Sequence, residues 1–410
     1  KYSFQNDKFE ILGFGESKSE GLKRGVVINI STTIDSIKKA VEIAETKAGI
    51  EINSALVGIS GEHIKGIDGS SAININNPQG DNSHGHPITK KDKKRVIEQS
   101  QSINLSPDRR VLHVLSQNFI VDNSTNVKNP IGLSCQRLEA NVHIVTIGKN
   151  PEMDLISCMK EIGIEVIDKF ILEPLASAHS VLTNDERELG VIIVDIGGGT
   201  TDMIIYKDGG VIDISAIPIG GEAITKDIAI GLQIGIEEAE KIKKSHGSAK
   251  TALANEENNI SINQSFDITS KQISEKNIAE IIEPRMRQIF EYINLELNKH
   301  SSPKNHITFG LVVTGGGSQL KNLTDLAQEY FGVQTRIGLP NQSLLIKSIK
   351  HSKISLNARY STLLGLIDYG ISSLNEKLFW PELQNIEQDE SIAILNPIYK
   401  TFKKIIDSIS

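Results

Sequence analysis

Residues 191–202 read Val-Ile-Ile-Val-Asp-Ile-Gly-Gly-Gly-Thr-Thr-Asp. The run of β-branched apolar residues predicts a strand buried on both faces, and three glycines follow it closely. Because glycine has no Cβ, such a turn bends sharply and brings backbone N–H groups close to an anion. The stretch is therefore typical of a phosphate-binding turn. Its candidate phosphate contacts are Gly197, Gly198, Gly199, Thr200 and Thr201.

Asp195 lies at the end of the predicted strand, and its charge repels phosphate. Magnesium prefers a few carboxylates together with retained waters, so we expect Asp195 to hold Mg²⁺ through water. Past the glycines, residues 208–210 read Asp-Gly-Gly and predict a hairpin turn, which places the glycines in a β-turn-β unit. A Walker loop and the dinucleotide fingerprint both open a helix instead. The alternative is an ordinary glycine hairpin with an acid at its edge.

Composition narrows the class of protein. The chain has 410 residues and a formal net charge of -7, and this length predicts two or more domains. No long basic block is present, which argues against extensive nucleic-acid binding. With only Cys135 and Cys158, we expect neither a disulfide framework nor a structural zinc site. No apolar run approaches the roughly 20 residues of a membrane span, so we expect a soluble or peripheral protein.

The first 62 residues predict the beginning of a layered α/β domain. Strands are expected over residues 9–16 and 54–61. The helix between them is expected to start at Ser31 or Thr32 as its cap and to end at Gly49. Residue 1 is lysine rather than methionine, and we expect the natural start of the chain to be missing.

From about residue 63 to residue 144 the pattern changes to a small α+β insert. It contains a predicted helix over 91–102 and predicted strands over 110–121 and 136–145. Without a neighbouring set of carboxylates or thiolates, we expect the histidines in this region to be solvated rather than to bind a metal. These are His63, His84 and His86.

Polar groups also lie at two other predicted junctions. A strand over 165–172 runs into Glu173-Pro174, where a helix of small residues begins. Either Glu173 faces a nucleotide from the start of a crossover helix, or the segment is a plain strand–helix junction. Gly220 and Gly221 precede a further helix, whose first N–H groups could also face phosphate.

Glu240 and Lys243 lie three residues apart on a predicted helix, so they share one face. They form either a solvated surface ion pair or part of a nucleoside site, with the acid accepting ribose hydroxyls and the lysine stem covering a purine. A long helix is predicted over 271–299. After it, a buried strand over 308–314 runs into a second glycine turn before a helix over 320–330. The glycines of that turn are Gly315, Gly316 and Gly317.

The C-terminal segment predicts a linker followed by an amphipathic helix. Residues 371–396 are polar and acidic. On a helix over 397–410, five apolar residues share one face and lysines flank it, which suits either a membrane interface with anionic lipid or docking on the protein itself. Because the linker separates this helix from the core, we favour the membrane. The expected membrane-binding residues are Ile398, Phe402, Lys403, Lys404, Ile405, Ile406 and Ile409.

The order of these motifs resembles the superfamily of actin, heat-shock chaperones and sugar kinases. Within it, the chain resembles the bacterial cell-division FtsA family over nearly its whole length. The segments closest to that family are Arg-Val-Leu-His-Val at 110–114, Lys-Asn-Pro-Ile-Gly-Leu-Ser at 128–134, Asp-Glu-Arg-Glu-Leu-Gly-Val at 185–191 and Ile-Glu-Pro-Arg at 282–285.

The resemblance implies an α/β, actin-like fold of duplicated ribonuclease H-like domains with an inserted small α+β subdomain. It implies the following division of the chain: subdomain IA at 1–62 and 145–183, insert IC at 63–144, subdomain IIA at 184–224 and 306–375, subdomain IIB at 225–305, an acidic linker at 376–396, and the amphipathic membrane-targeting helix at 397–410. The family's first phosphate loop would precede Phe9, where this chain has too few residues to contain it.

The resemblance also implies a function. The protein would bind ATP with Mg²⁺, polymerise, and tether the ring of the tubulin-like protein FtsZ to the cytoplasmic face of the cell membrane at the division site, where it would help to recruit later division proteins. Arg285 is the best single candidate contact for the FtsZ C-terminal tail. Asp195 would hold hydrated magnesium and Glu173 would position an attacking water, with at most slow ATP hydrolysis. Gly198 and Thr200 would contact phosphate.

Two alternatives of other classes stay open. A small-molecule kinase of the same superfamily would need an acceptor-activating acid in a second pocket, and the sequence does not reveal one. A pilus-assembly adaptor of related fold would leave the amphipathic C-terminal helix unexplained. A chaperone would need a peptide-binding β-domain after the nucleotide domain, where the sequence predicts only a linker and a short helix.

Overall fold

The computed structural model describes most of the chain outside its C-terminal segment. The described ranges are 2–3, 8–75, 85–167, 170–263, 270–299, 309–341 and 357–379. The predicted membrane helix and the linker beyond residue 379 lie outside these ranges, as does His84.

The first part of the chain has short strands around one long helix. Its elements are β1 (Tyr2–Ser3), β2 (Lys8–Phe9), β3 (Leu22–Lys23), β4 (Val26–Val27), α1 (Ile30–Ala48), β5 (Ser54–Ala55) and β6 (Gly58–Ile59). The Asn29 side chain caps α1 by accepting from the Thr32 N–H, so the predicted cap at Ser31 or Thr32 is wrong. Gly49 ends α1 in the left-handed conformation, as predicted. The strand predicted over 9–16 is wrong beyond β2, and the one predicted over 54–61 is interrupted.

The next segment builds a four-stranded antiparallel sheet with one helix on it. Its elements are β7 (Lys65–Asn74), β8 (His86–Pro87), α2 (Lys90–Ser100), β9 (Arg109–Val121), β10 (Ser124–Val127), β11 (Ser134–Cys135) and β12 (Arg137–Gly148). The sheet order is β10-β9-β12-β7, and Val96 of α2 packs on Phe119 and Leu138 of the sheet. The predicted helix and two strands of the insert are confirmed. Strand β7 was not predicted from its polar sequence.

The chain then returns to the first α/β layer. Its elements here are α3 (Lys149–Glu161), β13 (Glu165–Val166), β14 (Ile171–Leu172), α4 (Glu173–Val181) and α5 (Asn184–Leu189). Strand β13 pairs in parallel with β5, and β14 pairs in parallel with β6. Proline at the start of α4 lacks the N–H that a first turn leaves unpaired, so it fits this position.

The second half of the structure is organised around a five-stranded sheet. Its elements are β15 (Val191–Ile196), β16 (Thr201–Lys207), β17 (Gly210–Ile217), α6 (Gly221–Leu232), α7 (Ile236–His246), β18 (Asn259–Asn263), β19 (Ser270–Ser274), α8 (Glu275–Leu297), β20 (Gly310–Thr314), α9 (Leu323–Phe331), β21 (Thr335–Ile337) and α10 (Ser361–Phe379). The order is β17-β16-β15-β20-β21, with β15 parallel to β20 and antiparallel to β16.

Two predictions in this half need correction. Helix α8 begins at Glu275 rather than near residue 271, because Ser274 and Asn277 form a capping box directly after β19. Helix α10 continues to Phe379, so the linker cannot begin at residue 371 or 376. Within the described ranges, no helix is long and apolar enough to cross a membrane.

Strand β15 is the centre of the core, as the sequence predicted. Every residue of it is at most 9% exposed. Ile192 and Val194 belong to one apolar cluster with α6 and α8, whereas Val191 and Ile193 belong to a second cluster with β14 and α4. A strand that is apolar on both faces therefore joins the two halves of the molecule.

Helices α4 and α10 pack so closely at Gly365 that their main-chain atoms are in contact, and a substitution there tests the fold. A Cβ at Gly365 would lie 1.8 Å from the Ala176 carbonyl oxygen, so we expect Gly365→Ala to lower the free energy of unfolding by about 2 kcal/mol or more. Gly370→Ala on the same helix is the matched control: there the Cβ meets only the end of the Leu56 side chain, and alanine favours helix. Chemical denaturation measures both variants. Equal stability of the two would contradict this packing.

Candidate functional site

Three carboxylates face one another where the two halves of the molecule meet. Asp195 is the penultimate residue of β15, and Asp202 on β16 lies directly opposite it in the antiparallel register. Glu173 begins α4. Asp195 is 9% exposed and Asp202 is 5% exposed, while Glu173 is half-buried. Within the described part of the chain, no lysine or arginine forms an ion pair with any of the three.

Hydroxyl groups from several elements orient the two aspartates. Ser177 of α4 and Thr362 of α10 donate to Asp195 Oδ2 at 2.5 and 3.1 Å. Ser60, directly after β6, donates to Asp202 Oδ1 at 2.5 Å, and Thr200 donates to its other oxygen at 3.2 Å. Four of these residues were not predicted from the sequence: Asp202, Ser60, Ser177 and Thr362. For Asp202 the signal was available, because a tight turn between two strands places it opposite Asp195.

Burial raises the pKa of all three acids. The pKa of Glu173 rises to about 8 through burial and through the charges of Asp202 and Asp195. Burial raises the pKa of Asp202 to about 7, against the hydrogen bond from Ser60. Burial also raises the pKa of Asp195, although Ser177 and Thr362 hydrogen-bond it. The cleft therefore brings together three acids for which the described protein groups supply no counter-ion.

This donor set fits a divalent cation held partly through water. Magnesium takes oxygen ligands and keeps several of its waters, and a cation among the acids would compensate the charges that raise their pKa values. Among the described residues, no three His, Cys, Asp or Glu side chains are placed to ligate one metal ion together. The arrangement is thus compatible with the water-mediated contact predicted for Asp195, and it does not provide a closed cage of direct ligands.

The first glycine turn is built as a tight loop with free N–H groups. The Gly197 N–H donates to the Thr200 carbonyl at 2.9 Å. The N–H groups of Gly198 and Gly199 donate to no acceptor among the described residues. Thr201, by contrast, donates its hydroxyl to the Ile219 carbonyl. Two N–H donors of this turn are therefore available to an anion.

The start of α6 fixes this turn from behind. The N–H groups of Gly221 and Glu222 donate to the Gly197 and Gly198 carbonyls, both at 2.9 Å. A Cβ at Gly220 would lie 2.7 Å from each of those carbonyl oxygens. The expectation that the Gly221 N–H faces phosphate is therefore wrong for this structure, since that donor is already used within the protein. Gly220 and Gly221 instead support the turn that offers its N–H groups.

The second glycine turn lies against Asp195. Gly315 has a φ of +83°, and a Cβ there would lie 2.2 Å from Asp195 Oδ1. A Cβ at Gly317 would lie 2.4 Å from Ile196 Cγ2, while Gly316 faces open space. The two glycine turns that the sequence singled out are therefore brought together at the end of β15, with Gly316 unobstructed.

Glu240 and Lys243 are joined, but not as a solvated surface pair. Lys243 Nζ lies 2.6 Å from Glu240 Oε2, and its side chain is 13% exposed. Lys243 also donates to the Gly221 carbonyl at 2.9 Å and to the Thr225 hydroxyl at 2.7 Å. The pair therefore connects α7 to the start of α6, which supports the first glycine turn. Arg285 lies elsewhere, on α8, and pairs with Asp227.

Comparisons with known proteins give a consistent result. Residues 192–365 match the family model described as cell division protein FtsA, and residues 61–146 match that of the SHS2 domain inserted in FtsA. The chain is 38% identical over 369 residues to cell division protein FtsA of Pseudomonas aeruginosa, covering 90% of this chain and 85% of that protein. The corresponding protein of Neisseria meningitidis is 34% identical over 385 residues, covering 94% and 89%. That of Borreliella burgdorferi is 37% identical over 365 residues, covering 89% and 85%.

A solved structure shares the fold at low sequence similarity. A chain of the PilM-PilN type IV pilus biogenesis complex superposes with a TM-score of 0.59 and 13% identity, covering 89% of this chain and 99% of that one. At this identity the likeness concerns the fold alone.

The raised pKa values lead to a prediction about pH. An acid whose pKa is higher in the folded state binds more protons folded than unfolded, so its contribution to stability is present at low pH and is lost as pH rises. Without divalent cations, we expect the stability of the unsubstituted chain relative to Glu173→Gln, measured as the difference in unfolding free energy, to fall by roughly 3 kcal/mol from pH 5 to pH 8. Adding Mg²⁺ at pH 8 should restore part of the stability that the unsubstituted chain has lost relative to Glu173→Gln.

Urea denaturation in EDTA at several pH values measures this difference. Glu165→Gln, at an exposed acid of β13, is the matched control and should show no such dependence. If this difference in unfolding free energy stays constant or rises between pH 5 and pH 8, the pKa of Glu173 is not raised by its neighbours as described.

Proposed function

The chain belongs to the FtsA family of cell-division proteins, and from this premise we propose that it is an ATP-binding, actin-like adaptor that polymerises and tethers the FtsZ ring to the cytoplasmic membrane. The observation that carries the nucleotide part is the convergence of two glycine turns and three carboxylates at the end of β15. The membrane and FtsZ parts rest on the family and on the sequence.

The cleft chemistry suits the phosphate end of a nucleotide with its cation. Phosphoryl groups need N–H donors and a metal ion to balance their charge, and the free N–H groups of Gly198 and Gly199 supply the first. A magnesium ion, held through water by Asp195 and Asp202, would balance the charge of the phosphates. Glu173 would then orient a water molecule, and cation binding would favour its ionised form. Gly316, Glu240 and Lys243 remain proposed contacts of the nucleoside.

A pocket around Arg285 suits a peptide tail. It has a volume of about 570 Å³, between α6, α8 and α9. Its lining combines apolar and charged groups: Asp227, Ile281, Pro284, Arg285, Arg287, Gln288, Glu291 and Tyr330. Arg285 donates to both carboxylate oxygens of Asp227, at 2.5 and 2.8 Å. A carboxylate of the FtsZ tail would therefore compete with Asp227 for a guanidinium that is already oriented.

The membrane role is tested first. The full chain should co-sediment with liposomes containing anionic lipid, and more so with Mg-ATP, because filaments bind a surface through many weak anchors at once. A chain ending at Asn396 lacks the proposed helix and should stay in the supernatant. Liposomes of neutral lipid provide the control for charge. If both chains stay soluble at low salt with nucleotide present, the membrane part of the proposal is wrong.

The FtsZ part is tested at Arg285. Arg285→Ala should weaken binding of the FtsZ C-terminal peptide about tenfold, since one charge-assisted contact is lost. Asp227→Asn weakens the competing internal partner and should leave the affinity equal or higher. Arg95→Ala, at an exposed arginine of the insert, is the matched control. Fluorescence anisotropy with a labelled peptide measures all four proteins, and unchanged affinity of the Arg285→Ala protein would exclude this pocket.

A further inference from the structure

The hairpin of β3 and β4 brings a cation against the first glycine turn. Leu22 pairs with Val27 and Lys23 with Val26, which leaves Arg24 and Gly25 as the two-residue loop. Both have positive φ, 51° and 77°, the backbone of a type I′ turn. That turn strongly favours asparagine, aspartate or glycine at its first central position, so an arginine there is unusual. A residue kept in an unfavourable conformation suggests a functional reason for its side chain.

The position of this loop is set by close backbone contacts. A Cβ at Gly25 would lie 1.9 Å from the Ser60 carbonyl oxygen, and a Cβ at Gly61 would lie 2.6 Å from the Arg24 carbonyl oxygen. On the other side of the cleft, the Cβ position of Gly199 lies 3.6 Å from Arg24 N and 3.8 Å from its Cα. Arg24 thus lies next to the turn whose N–H groups are free, and beside Ser60, which hydrogen-bonds Asp202.

The guanidinium of Arg24 forms a weak, exposed ion pair. Its ion pair with Glu62 spans 3.6 Å, and the two side chains are 49% and 50% exposed. Exposed pairs of this kind contribute little and exchange partners readily. The other cation near the turn, Lys243, already contacts Glu240, Thr225 and the Gly221 carbonyl. Arg24 is therefore the described cation best placed to meet an anion that enters the cleft beside Gly199.

We infer that Arg24 binds the terminal phosphate of the nucleotide, leaving Glu62 when the triphosphate is present. This inference rests on the proposed nucleotide site and adds a residue to it. A guanidinium contact of this kind from the first half of the molecule would connect it to the glycine turn of the second half across the bound phosphate. Affinity for a triphosphate should then depend on Arg24, whereas affinity for the nucleoside should not.

The test compares the affinities of the unsubstituted chain and of Arg24→Ala for Mg-ATP, Mg-ADP and adenosine by isothermal titration calorimetry. We expect the substitution to lower the affinity for Mg-ATP about tenfold or more and the affinity for Mg-ADP less. The affinity for adenosine should stay unchanged. Arg24→Lys keeps a charge without the planar fork and should show an intermediate loss. Glu62→Gln frees Arg24 and should leave Mg-ATP affinity equal or higher.

Lys23→Ala is the matched control, because it removes the same charge one residue earlier, on the strand rather than in the turn. If Arg24→Ala and Lys23→Ala lower the affinity for Mg-ATP equally, the effect is one of net charge and the inference is wrong. If the unsubstituted chain binds Mg-ATP and Arg24→Ala binds it equally well, the inference also fails while the proposed function stands. If the unsubstituted chain binds no nucleotide, the proposed ATP site fails and the inference fails with it. Thermal unfolding of each variant shows whether it is folded.

Discussion

Close approach of glycine backbone around the end of β15 holds the two glycine turns of the cleft in place. Gly315 approaches Asp195 and Gly220 approaches the Gly197 and Gly198 carbonyls at distances that no side chain would allow. Main-chain atoms therefore set the position of the first glycine turn and of its free N–H groups, whereas the hydroxyl groups of Ser177 and Thr362 orient the carboxylate of Asp195. Such preorganisation is what an anion site requires, since donors that are already oriented need no rearrangement on binding.

The acids are held by hydroxyl groups rather than by cations, which explains their unusual pKa values. A hydroxyl donor favours the ionised carboxylate, yet it carries no net charge and cannot offset burial beside other acids. Asp195 and Asp202 each accept two hydroxyl hydrogen bonds and still have raised pKa values. An internal lysine would have lowered these pKa values and would also have filled the cleft. The hydroxyl arrangement leaves space, and acids that can still ionise, for a cation from outside.

The sequence predicted the elements whose signal is local. The apolar run of β15, the Asp-Gly-Gly turn between β16 and β17 and the proline of α4 each determine their own structure within a few residues. The strand β7 was missed because its polar residues take their order from pairing with β12, which is distant in sequence. The last part of α10 was assigned to a linker because composition alone indicated one, whereas Ile371 packs with Leu364, Tyr360 and Ile11.

The residues of the candidate nucleotide site were likewise predicted where their sequence signal is local, and missed where it is not. Glu173, Asp195 and both glycine turns stood out because each lies at the end of an apolar run. Ser60, Ser177 and Thr362 carry no such mark, since a hydroxyl residue in a strand or helix is ordinary until its partner is known. For Gly221, the N–H that a helix start leaves unpaired was assigned to a ligand, but the protein uses it to hold the Gly197 carbonyl. Whether such a donor is free depends on tertiary contacts that no local pattern contains.

Helix α4 links the cleft chemistry to the relative position of the two halves. It begins at Glu173, carries Ser177 against Asp195, and meets α10 where Gly365 allows backbone contact with Ala176. A shift of α4 along α10 would therefore move an acid and a hydroxyl donor together. A ligand changes the balance between open and closed forms only through contacts that differ between the two forms. The groups that face each other from opposite sides of this cleft are Ser60 with Asp202 and Arg24 with Gly199, so a ligand that moved the two halves relative to each other would have to change these contacts.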